Sequence, residues 1–178
     1  MAGAKASRLS KNAGQNGADR TASNPDSVPT KSLGEIGLQQ FAPYLMNRIM
    51  GRYNHTLRDE LSSAGLTTPK MRALAILSIM DGLKINELAV YAVVEQSTLS
   101  RSLDALETEG LIRREAPSDD NRVRHIFITD LGRGTFSALW PTMFRSSEAM
   151  FAGIDVEERE RFVGTLHKIL RNIRKHDI

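Results

Sequence analysis

The sequence predicts a mainly α-helical fold with a small β wing, and three observations carry that prediction. Leu88, Ala89, Ala92, Val94, Leu99 and Leu103 are spaced for two short helices packed through a turn. Directly after them, two extended runs between Leu111 and Ile128 flank a cluster rich in Pro, Ser, Asp and Asn, which is a hairpin signal. Amphipathic stripes then lie at both ends of the chain. Together these describe a winged helix-turn-helix flanked by long N- and C-terminal helices.

Residues 1–32 are rich in Ala, Ser, Asn, Gly and Lys and nearly lack large apolar side chains, so they read as a disordered N-terminal tail. Residues 33–65 form the next segment. Leu38, Phe41, Leu45, Ile49, Tyr53, Leu57 and Leu61 fall at steps of three and four, predicting one amphipathic helix over 34–63 that continues despite Pro43. Ile36, Met46 and Met50 lie off that stripe, leaving apolar surface for a partner to cover. Ser62-Ser63-Ala64-Gly65 closes the helix.

The lobe at 66–132 opens with Thr68 as N-cap and Pro69 at the first helical position. Met71, Leu74, Leu77 and Met80 bury that helix, and Asp81-Gly82 ends it. Lys84 to Ala92 is the supporting helix of the pair. Val93 stands where a turn glycine is common, which suggests a turn without a left-handed residue. Glu95 places a carboxylate near the next helix's N-terminus, favouring the helix dipole and repelling a nearby phosphate. That next helix exposes Gln96, Ser97, Thr98, Ser100 and Arg101, short polar groups around one long cation suited to phosphates and base edges. It runs to Gly110, a glycine stop before the hairpin. The hairpin tip carries Arg122 and Arg124, with Asp120 bracing the turn or pairing with an arginine.

Across 84–134, seven Lys/Arg stand against nine Asp/Glu, so the module is formally −2. A crude electrostatic case for DNA binding therefore fails, and geometry has to supply it, with Arg101, Arg122 and Arg124 on one side while Asp104 and Glu107 turn away. After the wing, Thr129 caps a helix containing Leu131, Phe136, Leu139, Trp140, Met143 and Phe144, with a kink or break expected near Leu139–Trp140 because Pro141 falls inside the pattern. Asp155-Val156-Glu157-Glu158 opens the last helix, whose stripe is Phe162, Leu166, Ile169, Leu170 and Ile173. Residues 133–178 thus form the C-terminal helical segment.

Composition bounds the rest. The 178 residues, 40% hydrophobic with net charge +3, suffice for one compact domain with extensions. No apolar stretch approaches the roughly 18 residues that span a bilayer, and no signal-peptide pattern opens the chain, so a cytoplasmic location is expected. Absence of cysteine excludes disulfides and thiol redox sensing. His55, His125, His167 and His176 show no catalytic spacing with Ser or Asp, and neither a Gly-rich phosphate loop nor a metal-ligand spacing is present, so the expectation is no enzyme, no cofactor and no metal.

The helix pair from Leu88-Ala89 to Arg101, the Glu109-Gly110-Leu111-Ile112 junction, the Asp120-Asn121-Arg122 element and Ile128-Thr129-Asp130-Leu131-Gly132 together resemble the winged helix-turn-helix of MarR-family transcriptional regulators. The likeness extends loosely over residues 36–176. It implies that the terminal helices, at 33–65 and 133–178, interlock two subunits, and that the homodimer binds pseudo-palindromic operator DNA, most simply as a repressor. It further implies a small effector in a crevice between dimer helices and reading lobe. Arg48, Arg52, Tyr53, Met71, Ala75, Phe136 and Trp140 could line that crevice, where two arginines one turn apart would suit an aromatic acid or an aromatic acyl-CoA. The rival reading is a non-enzymatic winged-helix adaptor that binds a protein partner; the lack of aromatic anchors on the Gln96–Arg101 face argues against it.

Overall fold

A computed structural model describes residues 31–116 and 124–173. The expectations for the tail at 1–30 and for Asp120 and Arg122 concern residues outside this described part.

The chain divides into a short unit ending at Phe41 and a larger one from Ala42 onward. In the first, α1 (Leu33–Ile36) is opened by a capping box in which Ser32 and Glu35 satisfy each other's backbone amides. A single 3₁₀ turn, Leu38–Gln40, follows.

The larger unit begins with α2 (Ala42–Thr56) and α3 (Arg58–Ser63). The single helix expected over 34–63 is therefore interrupted. Gly37 takes a positive φ of 75°, which ends α1. Pro43 sits in the first turn of α2, where its missing N–H costs no helical bond. Next, α4 (Thr68–Leu77) starts one residue earlier than expected, with Thr67 as the extended N-cap residue, and ends before Asp81-Gly82.

The sheet contains a strand that periodicity missed, β1 (Leu83–Lys84), because two residues are too few to show a pattern. It pairs antiparallel with β3 (His125–Ile128), which also pairs with β2 (Ile112–Glu115), giving the order β1-β3-β2. Ile112 stands opposite Ile128, and Leu83 opposite Ile126. Between β1 and β2 lie α5 (Ile85–Ala92) and α6 (Gln96–Thr108). After the sheet come α7 (Asp130–Met150) and α8 (Val156–Ile173). The helix α7 runs through Pro141 without the expected break.

Leu74, Leu77, Leu88, Leu99, Leu103, Leu106, Ile112 and Ile126 form the centre of the core, each 2% exposed or less. Burying a leucine of this kind contributes about 1.5–3 kcal/mol, so α4, α5, α6 and the sheet hold one another. The end helices differ. Trp140, Phe144, Phe162, Val163, Leu170 and Ile173 are all exposed among the described residues, so α7 and α8 carry a large apolar surface. No helix among the described residues is long and apolar enough to cross a membrane.

Candidate nucleic-acid interface

The reading helix is α6. Leu99, Leu103 and Leu106 point inward, which leaves Gln96, Ser97, Thr98 and Arg101 exposed and Ser100 half-buried. Its N-terminus is capped by Glu95, whose Oε2 accepts the Thr98 amide at 3.0 Å and also the Ser97 hydroxyl. Those bonds, that of Ser97 first, hold the Glu95 carboxyl below its ordinary value, so the group stays ionised. An unusual N-cap residue thus does the work of Ser or Thr.

The turn before it corrects the expectation for Val93. This valine is left-handed, with φ 52° and ψ 51°. The reason lies in how α5 ends. The Val94 amide bonds the Ala89 carbonyl and the Val93 amide bonds Val90, a Schellman closure that needs a left-handed residue between them. The same pair of bonds ends α3 at Gly65 and α6 at Gly110, where glycine supplies the conformation.

The acids that made the module formally negative are largely engaged within it. Arg114 on β2 bonds Asp104 and Glu107 on α6, each at 2.8 Å. Glu107 also accepts the Arg114 amide, Glu87 accepts the Lys84 amide, Glu109 pairs with Lys70, and Glu115 pairs with Arg113 at 2.7 Å. Arg101 and Arg124 form no salt bridge among the described residues and remain exposed. Arg124 and Ser100 line one groove together with Ile85, Asp104, Arg114 and Ile126, so Asp104 does not turn away from the Arg124 side as expected but is held there by its bond to Arg114.

The wing is braced from β2. Arg113 lies over the Phe127 ring, 4.6 Å from its centroid, and the His125 ring meets the Gly82 carbonyl at 2.8 Å. Sequence reasoning missed Arg114 and Arg113 as braces, since each reads as a surface charge until the strands are paired.

Of the crevice residues, Met71 lies in the hydrophobic core and Tyr53, Ala75 and Phe136 pack against it. Arg48 and Arg52 are exposed, with Arg48 donating to the Tyr44 hydroxyl at 3.3 Å. Tyr53 is half-buried, and burial pushes its phenol up from the ordinary value. Met71 is a core residue at 5% exposed, and Ala75 is half-buried beside it. Phe136 and Trp140 stack along α7 with centroids 6.2 Å apart, and Trp140 is 51% exposed.

Residues 66–123, covering the helix pair and the first wing strand, match the sequence profile of the MarR family. A MarR-family transcriptional regulator from Silicibacter pomeroyi is 56% identical, over 83% of this chain and 100% of that one, with a TM-score of 0.79. The chain belongs to the MarR family. This MarR-family transcriptional regulator is also similar to the HTH-type transcriptional repressor IacR of Pseudomonas putida, 23% identical over 78% of this chain and 83% of the relative. It shares its fold with Bordetella bronchiseptica BpsR, a protein whose DNA binding is regulated by 6-hydroxynicotinic acid (19% identity, TM-score 0.64, 71% of this chain and 96% of that one).

Proposed function

We propose that this MarR-family regulator binds pseudo-palindromic operator DNA as a homodimer, represses the genes it controls, and is released by a small aromatic acid or aromatic acyl-CoA. The observation that carries the reading is the tip of α6, where the apolar side is wholly buried and Gln96, Ser97, Thr98 and Arg101 face outward beside a wing bearing Arg124. In this reading those residues and Ser100 contact the major groove, Arg122 and Arg124 reach the flanking minor groove and phosphates, and Asp120 braces the wing turn. The exposed stripes of α7 and α8 supply the subunit contact, residues 33–65 and 133–178 being the dimerisation segments around the lobe at 66–132.

Repression follows the named role of the Pseudomonas relative, and the effector class follows that of the Bordetella protein. Arg48 and Arg52 would meet a carboxylate or phosphates, with Tyr53, Met71, Ala75, Phe136 and Trp140 around the ring. A ligand that prefers one separation of the two reading helices weakens DNA affinity by favouring that separation. The test is selection of duplexes from a random pool, then salt-titrated binding by the wild type, Arg101→Ala and Arg122→Ala. Arg101→Ala should lose about 1–3 kcal/mol and relax sequence preference. Arg122→Ala should weaken all duplexes and reduce the salt slope by about one. Unchanged binding by both variants would remove the mechanism.

A further inference from the structure

We infer that Arg72 is a positioning residue that holds the helix-turn-helix in its reading geometry by clamping the left-handed Val93; the inference rests on the DNA-reading function of α6 proposed above. Arg72 is half-buried on α4, between the core residues Met71 and Ala73. Its Nη1 donates to the carbonyl of Ala92 at 3.3 Å and to that of Val93 at 3.1 Å. Those are carbonyls at the C-terminal end of α5, which the helix cannot satisfy itself and where the helix dipole favours a cation.

The clamp answers a specific problem. A β-branched residue in the left-handed region is strained, because its Cβ crowds the neighbouring carbonyl. Strain persists only where surroundings over-determine the conformation. Val93 is 78% exposed, so packing of its side chain does not hold it there. What holds it is the two backbone bonds of the Schellman closure and the two bonds from Arg72. Val93-Val94-Glu95 is the whole connection between α5 and α6, so the torsions of Val93 set the direction in which α6 leaves α5. With the guanidinium gone, Val93 gains freedom to relax toward extended backbone, and the exposed tip of α6 turns away from its reading position. At the corresponding points after α3 and α6, Gly65 and Gly110 adopt the conformation without this strain.

The experiment uses four full-length proteins: wild type, Arg72→Met, Val93→Gly and the double variant, each assayed for affinity to a selected operator, salt slope and amide exchange. Arg72→Met should lower operator affinity about tenfold or more, the range for lost hydrogen bonds to a charged group, without changing the salt slope. It should also speed exchange of the Val93 and Val94 amides. Val93→Gly alone should keep operator affinity, and the double variant should recover most of what Arg72→Met lost. Additive losses in the double variant would overturn the clamp, as would a slope reduced by about one, the mark of a phosphate contact. Should Arg72→Met not fold, Arg72→Lys, which keeps a cation without the planar fork, should show a smaller loss that Val93→Gly again repairs. If the wild type selects no operator, the DNA-reading function fails by itself, and unchanged amide exchange in Arg72→Met would then refute the clamp separately.

Discussion

Arg114, on the first strand of the wing, binds Asp104 and Glu107 on successive turns of the reading helix, each at 2.8 Å. The wing and the C-terminal half of α6 are thereby fixed to each other by one guanidinium whose side chain is only 15% exposed. Arg114→Ala should therefore destabilise the fold by about 1–2 kcal/mol, below the cost of breaking a fully buried pair because both acids stay partly hydrated. Urea denaturation checks the stability. A cycle with Asp104→Ala should show that the two losses do not add.

Gly132 at the start of α7 fits against the backbone of the wing junction. A Cβ there would lie 2.0 Å from the Leu111 carbonyl oxygen and 3.0 Å from Ile128 Cγ1. Since a backbone carbonyl cannot rotate aside, Gly132→Ala should cost about 1–3 kcal/mol or more. Two residues on, Gly134 meets nothing within 4 Å, and Gly134→Ala should gain about 0.5–1 kcal/mol from helix propensity. Opposite signs in thermal melts of the two variants are the expected result.

Glu95 makes stability depend on acid. Its folded-state carboxyl titrates below the ordinary value of 4.5, chiefly through the Ser97 hydroxyl and then the Thr98 amide. A depressed carboxyl contributes stability that is present above its unfolded value and is lost as pH falls through the folded one. Glu95→Gln should thus lower the melting temperature at neutral pH, and the gap between variant and wild type should close in acid. A gap that does not change with pH would show that the charge of Glu95 plays no part in the cap.

Much of this was legible in the sequence because the periodic signals are local. The stripe Leu99, Leu103 and Leu106 needs only helical spacing to be read, and Thr129 as the cap of α7 needs only its neighbours; its hydroxyl accepts the Gly132 amide at 3.1 Å. What the sequence hid depends on partners far along the chain. Val93 is left-handed because a Schellman closure and Arg72, 21 residues away, hold it so, which outweighs the preference of valine. The strand β1 exists because Leu83 and Lys84 meet Ile126 and His125, not because two residues favour extension. The helix α7 is not interrupted at Pro141 for a related reason: it packs onto the core through Leu139 just before the proline and through Met143 just after it. Tertiary burial there outweighs one lost backbone bond. Among the candidate site residues, the exposure of Gln96, Ser97, Thr98 and Arg101 follows from helical spacing alone, whereas the crevice set mixes exposed Arg48 and Arg52 with the core residue Met71.

Exposed apolar side chains on α8 bear on assembly. Phe162, Leu170 and Ile173 are 43%, 57% and 68% exposed in the single chain. Leu170→Glu should shift the protein toward monomer in sedimentation or light scattering, with little effect on the helical signal, because Leu170 lies outside the buried core of the described residues.

In the proposed homodimer two α6 tips stand at the pitch of duplex DNA, and the spacing of operator half-sites is the measurement that decides it. Binding to a selected operator should involve two chains per duplex, with half-sites about 10–10.5 base pairs apart. Inserting about five base pairs between them turns one half-site to the opposite face of the helix, and affinity should then fall to the non-specific level. Full affinity for the lengthened duplex, or one chain per operator, would contradict the account.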